Sequence, residues 1–264
     1  MPQTLPTTTL NVYLRDFMIL PFGRAVKSDL QRISLSAVST DGLYFSTNVP
    51  AIVIMKGDPP ICLADFEKRI GPIDFRALGS DHQILDYMCH TLKSHNPNMT
   101  PCEEMFLELY FGVLKASITD PRRDPRIAAE ARAQIGLPYD VPCHASKTDV
   151  WRALLPIPEL QFYVREPLSS FESYQPDINV RVDYGFWDGQ KWIAVEIDGA
   201  EPAGYARDIR RDRQLRQAEL DVIHILNFEI LQHKGRALWK YLPRTFFGFD
   251  WNYKSECPDF VIPF

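Results

Sequence analysis

The sequence predicts a mixed α/β (α+β) protein, and three observations carry that class. Residues Ile178 to Phe186 alternate apolar and polar, as do Ile193 to Asp198 after an Asp188-Gly189 turn. That is the period of a half-buried β-hairpin. Phe106, Leu109, Tyr110, Val113 and Leu114 recur at helical spacing and make an apolar stripe. Val222 to Leu226 is a continuous apolar run, as expected for a strand covered on both sides.

The elements follow in order. Residues 1–97 read as a β-rich N-terminal region. Ile33 to Val38, Gly42 to Ser46 and Ala51 to Met55 are strand-like runs with a turn at Asp41-Gly42, and Pro59-Pro60 interrupts them. Ile84 to Leu92 suits a helix with Ile84, Tyr87, Met88 and Leu92 on one side. The Asn96-Pro97-Asn98 stretch marks a boundary, and residues 98–264 form the second unit. There Thr100 is an N-cap, Pro101 the first helical residue and Glu103 the third, the capping-box pattern. Glu103 is thus either a cap or a site residue, and Glu104 is the alternative if the helix phase differs by one.

Residues 119–158 read as an insertion, with a loop from Asp120 to Pro125 and a short helix from Arg126 to Ile135 ended by Gly136. Leu160 to Val164 supplies a first core strand. From Ala203 to Glu219 a helix places Arg207, Arg210, Arg211 and Gln214 at spacings of three and four, on one face. Their bland reading is a solvated face paired with Asp208 and Asp212; their functional reading is phosphate contact, for which arginine forks are well shaped. His224, inside the apolar run, reads as a core residue. The aromatic tail from Phe246 to Phe264 reads as packing on a domain surface.

Composition narrows the function. The chain has 264 residues and a formal net charge of −5, so nucleic acid would have to meet a local basic patch. Five cysteines without a CxxC pair argue against a disulfide framework or zinc ribbon and fit a reducing cytoplasmic setting. No apolar stretch is long enough to span a bilayer, and no secretory leader pattern opens the chain.

The acidic hairpin is the chemically informative part. Asp183 sits at the polar phase of the first strand, and Glu196 and Asp198 at the matching phase of the second. With a two-residue loop, Asp183 lies opposite Ala194 and Arg181 opposite Glu196, leaving Asp183 and Glu196 as diagonal neighbours. A four-residue loop keeps the same facing and sets them directly opposite. Converging carboxylates repel one another, and a hard cation, Mg2+ or Mn2+, relieves that repulsion. Residue types alone therefore point to a divalent-metal site beside a basic helix.

In their order, these pieces resemble the PD-(D/E)XK restriction-endonuclease-like superfamily, in the branch related to very-short-patch-repair endonucleases. Thr100-Pro101-Cys102-Glu103 resembles the acidic first helix. Arg181-Val182-Asp183-Tyr184 resembles the strand of the first active-site aspartate, and Val195-Glu196-Ile197-Asp198-Gly199 resembles E-x-D-G. Asp208, Arg211 and Leu215 fit the following helix, and Val222 to Phe228 with Asn227 and Glu229 the last strand and its exit. The resemblance implies an αβββαβ core, a mixed central sheet flanked by helices. It also implies metal-dependent hydrolysis of DNA, with RNA left open, in restriction, repair or mobile-element defence.

On that reading Asp183, Glu196, Asp198 and Glu103 are catalytic, the first three hold Mg2+ or Mn2+, and Arg207, Arg210, Arg211 and Gln214 bind nucleic acid. Water is the implied nucleophile. Two departures stand out: Asp198 occupies the family's lysine position, and Pro202 lies near the place of its histidine. The proton donor or water-orienting group is left open, with Arg211 or Gln214 as candidates, since the parity of Lys191 aims it at the opposite sheet face. The alternative is a non-catalytic interaction protein on the same fold, or a subunit that cuts only with a partner. The N-terminal region is the candidate surface for a protein partner or a homodimer.

Overall fold

The computed structural model describes residues 10–12, 17–23, 33–39, 42–47, 50–55, 57–120, 122–138, 141–144, 147–164, 178–199, 215 and 220–249. Three sheets and six α-helices occur among them. Strands β1 (Leu10–Val12), β3 (Ile33–Ser39) and β4 (Gly42–Thr47) form an antiparallel sheet in the order β1-β4-β3. Strands β2 (Phe17–Pro21) and β5 (Ala51–Met55) pair antiparallel. Strands β3, β4 and β5 coincide with the strand-like runs Ile33 to Val38, Gly42 to Ser46 and Ala51 to Met55.

Helix α1 (Phe66–Arg69) is a single turn. Helix α2 (Asp81–Ser94) buries Ile84, Met88 and Leu92 and leaves Tyr87 at the surface. Helix α3 (Pro101–Ile118) is the central helix. Its Thr100 cap and Pro101 start act as the sequence predicts, and Phe106, Tyr110, Val113 and Leu114 are buried. Helix α4 (Pro125–Gln134) coincides with the short helix expected from Arg126 to Ile135.

The third sheet carries the acids. Strands β6 (Ile157–Val164), β7 (Ile178–Trp187), β8 (Trp192–Asp198) and β9 (Asp221–Leu226) lie in that order. The first three are antiparallel, and β9 runs parallel to β8, so the sheet is mixed. Helices α5 (Asn227–His233) and α6 (Gly235–Tyr241) follow β9.

Helix α3 covers the apolar face of β7. The rings of Phe106 and Tyr184 lie 4.7 Å apart between centroids, and those of Tyr110 and Phe186 5.7 Å. The Tyr110 hydroxyl donates to the Leu154 carbonyl at 2.6 Å, with the Phe246 carbonyl also against it. These are the side chains that the period-two and helical patterns single out, and burying them drives the layer together.

One contiguous apolar core includes Leu20, Ile52 and Leu85 from before residue 97 and Tyr184, Val195 and Phe247 from after it. Backbone hydrogen bonds also cross that point: Gly23 N–H donates to Pro158 O at 3.1 Å and Ile61 N–H to Trp187 O at 3.2 Å.

Two expectations need correction. Strand β9 is not covered on both faces: Ile225 is buried but Leu226 is 39% exposed, and among the described residues no strand lies beyond β9 in the sheet. Phe246 and Phe247 enter the core rather than cover a surface, while residues 250–264 of the aromatic tail lie outside the described residues. Among the described residues, no helix is long and apolar enough to cross a membrane.

Candidate functional site

The hairpin takes the longer of its two possible loops. Pairing runs Trp187–Trp192, Phe186–Ile193, Gly185–Ala194 and Tyr184–Val195, so Asp188 to Lys191 form a four-residue loop. The Asp188 carboxylate accepts the Gln190 and Lys191 amides, each at 2.8 Å, and Gly189 has φ +94°, a conformation that favours glycine. Carried one step further, this register sets Asp183 across from Glu196. Asp183 Oδ2 accepts the amide of Ile197, next to Glu196, at 2.7 Å. The carboxylate thus bridges β7 and β8 just where their pairing ends.

Glu196 is 2% exposed and shares its sheet face with the fully buried Ala194, so the face is closed to solvent at Glu196. Opposite on β9 stands His224. It is exposed rather than a core residue, and its Nδ1 lies 2.6 Å from Asp198 Oδ2. Asp198 is thereby turned toward β9, and no described contact joins it to Asp183.

Glu103 is placed by its helix. Its Oε2 accepts the Thr100 amide at 2.9 Å, and its own amide donates to Thr100 Oγ1 at 3.3 Å, a complete capping box. Its backbone carbonyl accepts the Tyr184 hydroxyl at 2.7 Å. Burial raises the pKa of that phenol well above its usual value, and the charges of Glu103 and Asp183 push the same way, so it remains a donor. Glu104 forms an ion pair with Lys93 instead of facing the acids. The structure therefore sets Asp183 level with Glu196 on the neighbouring strand, draws Asp198 to His224, and leaves the Glu103 carboxylate at the helix cap.

Arg207, Arg210, Arg211 and Gln214 lie outside the described residues; from their segment only Leu215 is described, and it is buried. Lys191 sits in the hairpin loop and pairs with Asp221.

Sequence reasoning missed one acid. Glu159 on β6 is 4% exposed and lies between the pairs Pro158–Tyr184 and Leu160–Val182, hence across from Asp183. It accepts from Asn96 Nδ2 at 3.1 Å and forms an ion pair with Arg181 Nε. On the β6 side Arg181 stands opposite Gln161, and on the β8 side the four-residue loop sets it level with Asp198 rather than Glu196. Glu159, Asp183, Glu196 and His224 thus stand level across all four strands. The only signal in the sequence was a lone acid within Ile157-Pro158-Glu159-Leu160.

Among the described residues, no group of three or more His, Cys, Asp or Glu side chains is placed to hold a metal ion. Mg2+, however, is commonly held by one or two carboxylates, with water and substrate phosphate completing its shell. The all-oxygen pair Asp183 and Glu196 fits that chemistry. No family model, curated protein or solved structure matches this chain.

Proposed function

We propose that this chain is a divalent-metal-dependent endonuclease of the PD-(D/E)XK kind, hydrolysing DNA phosphodiester bonds. The observation that carries the reading is the 2.7 Å bond from Ile197 N–H to Asp183 Oδ2, which holds one carboxylate beside the residue that bears the other. The element order α3, β6, β7, β8 and, later, β9 supports an αβββαβ reading, whose second helix falls on residues 203–219, of which only Leu215 is described. Asp183 and Glu196 would hold Mg2+ or Mn2+, which when bound supplies Lewis-acid polarisation of a phosphoryl oxygen.

The residues' own part is positional. The Ile197 amide fixes one Asp183 oxygen, and burial of Glu196 keeps bulk water from competing for its carboxylate. Asp198 and His224 form an exposed acid–imidazole pair beside them. The 203–219 segment brings Arg207, Arg210, Arg211 and Gln214 into the chain directly after this strand, and phosphate contact is their proposed role.

Plasmid DNA incubated with the protein and Mn2+ or Mg2+ should be nicked or cut. Changing even an outer partner of a metal ligand commonly costs 10–100-fold, so Asp183→Asn and Glu196→Gln are each expected to lower the rate by about 100-fold or more. Cutting that survives both substitutions in folded protein would refute the assignment.

A second reading is a non-catalytic interaction protein, or a subunit completed by a partner. It is favoured by the protein-internal bonds that Asp183 and Asp198 already make. Calorimetric titration with Mn2+ separates these readings: no heat of binding at millimolar metal selects a non-catalytic protein, and metal binding without cutting selects a subunit completed by a partner.

A further inference from the structure

We propose that Arg181 is a DNA-phosphate contact, positioned by a buried Glu159–Asn96 pair; this rests on the nuclease reading above. Arg181 and Asp183 are two residues apart on β7 and share a face, so their Cα atoms are about 6.6 Å apart. The guanidinium is anchored through Nε to Glu159, while 45% of the side chain is exposed. Glu159 itself is held by Asn96 Nδ2, and Asn96 is 3% exposed.

An exposed arginine usually samples many rotamers. Here a buried carboxylate pairs with its Nε and restricts it, which favours a planar fork meeting a phosphate. Glu159 also has φ +49°, a conformation that non-glycine residues seldom keep without reason. It lies across from Asp183, and strained residues cluster where geometry serves a site. A DNA strand with one phosphate at the acids would present a neighbouring phosphate within reach of this cation. The site otherwise carries Asp183, Glu196 and Asp198, three acids that repel a polyanion.

The test is binding of a fluorescein-labelled DNA duplex, followed by anisotropy at several salt concentrations in EDTA, where metal-dependent cutting is silent. The double variant Glu159→Gln with Arg181→Gln replaces an ion pair by a neutral hydrogen-bonding pair and leaves no charge buried alone. It should bind about tenfold more weakly, with the slope of log K against log salt reduced by about 0.9, one phosphate contact.

Glu159→Gln alone discriminates further. Removing a negative charge should tighten DNA binding if only net charge matters, whereas loss of the anchor should weaken it. A folded double variant with the wild-type slope overturns the proposal, as does tighter binding by Glu159→Gln or absence of salt-dependent binding by the wild type. Wild-type protein that binds with the expected slope change yet never cuts with Mn2+ would refute hydrolysis and leave the phosphate contact standing.

Discussion

Glu103 shows how one side chain can satisfy two readings of a sequence and only one in three dimensions. Its carboxylate accepts the Thr100 amide, which would otherwise be an unpaired donor at the helix start. Glutamine can make the same reciprocal bond. Glu103→Gln should therefore keep both the melting temperature and metal-dependent cleavage near wild type, while Glu103→Ala should cost about 1 kcal/mol through the lost cap. Thermal unfolding and plasmid cleavage measured on both variants check this. A fall in cleavage for Glu103→Gln as deep as that for Glu196→Gln would return Glu103 to the catalytic set.

At the same scale, legibility depended on where a residue's partner lies in the chain. Asp183 and Glu196 were readable because a local turn and period-two phase fix their facing. Glu159 was not, since Asn96 is 63 positions away and the strand's apolar pattern starts only after it. His224 was misread for the same reason. Its neighbours are apolar, but its partner Asp198 comes from another strand, and among the described residues no strand lies beyond β9.

At the scale of the element, the hairpin was legible in phase but not in loop length. Two- and four-residue loops give the same facing, and the choice turns on the Asp188 side chain accepting two loop amides. A related close approach lies further along β7. A Cβ added at Gly185 would come within 2.3 Å of Leu160 Cδ2 and 3.2 Å of Leu160 Cβ. Leu160 is fully buried and cannot retreat into solvent. Gly185→Ala should therefore force β6 from β7 and destabilise the fold by about 1–3 kcal/mol, the usual range for overpacking. Chemical denaturation would read this as a lower midpoint at unchanged slope. Because Gly185 is two residues from Asp183, cleavage should fall with the same change, and Leu160→Ala combined with Gly185→Ala should recover part of it. No recovery would mean that the glycine serves something other than this contact.

For the whole molecule, the shared core gives stability a pH dependence that no single element would predict. His144 stacks on Phe249, with centroids 4.3 Å apart and planes at 6°, joining residues 141–144 to the far end of the described chain. Burial pushes its pKa down from the ordinary 6.5 to about 4, against the smaller opposing effects of Asp149 and the Phe247 carbonyl. His95 meets the edge of Phe22 at 5.4 Å, where α2 closes on the end of β2, and burial lowers its pKa too. Both rings are favoured neutral in the fold, so each contributes stability that is fully present above about pH 6.5. As pH falls, the unfolded chain takes up these protons first, and stability drops until the folded pKa is passed. For His144 the loss should reach about 2 kcal/mol by pH 5, and His95 adds to it in the same direction. The carboxylates that titrate in this range are common to wild type and variant, so a difference measurement isolates the imidazole. His144→Phe keeps a ring against Phe249 without a titrating group. Its melting temperature should fall less than the wild type's between pH 7 and pH 5, by about 4–8 °C. Parallel curves for the two proteins would mean that protonated His144 is accommodated in the native state, and the core at this joint would then be open to water.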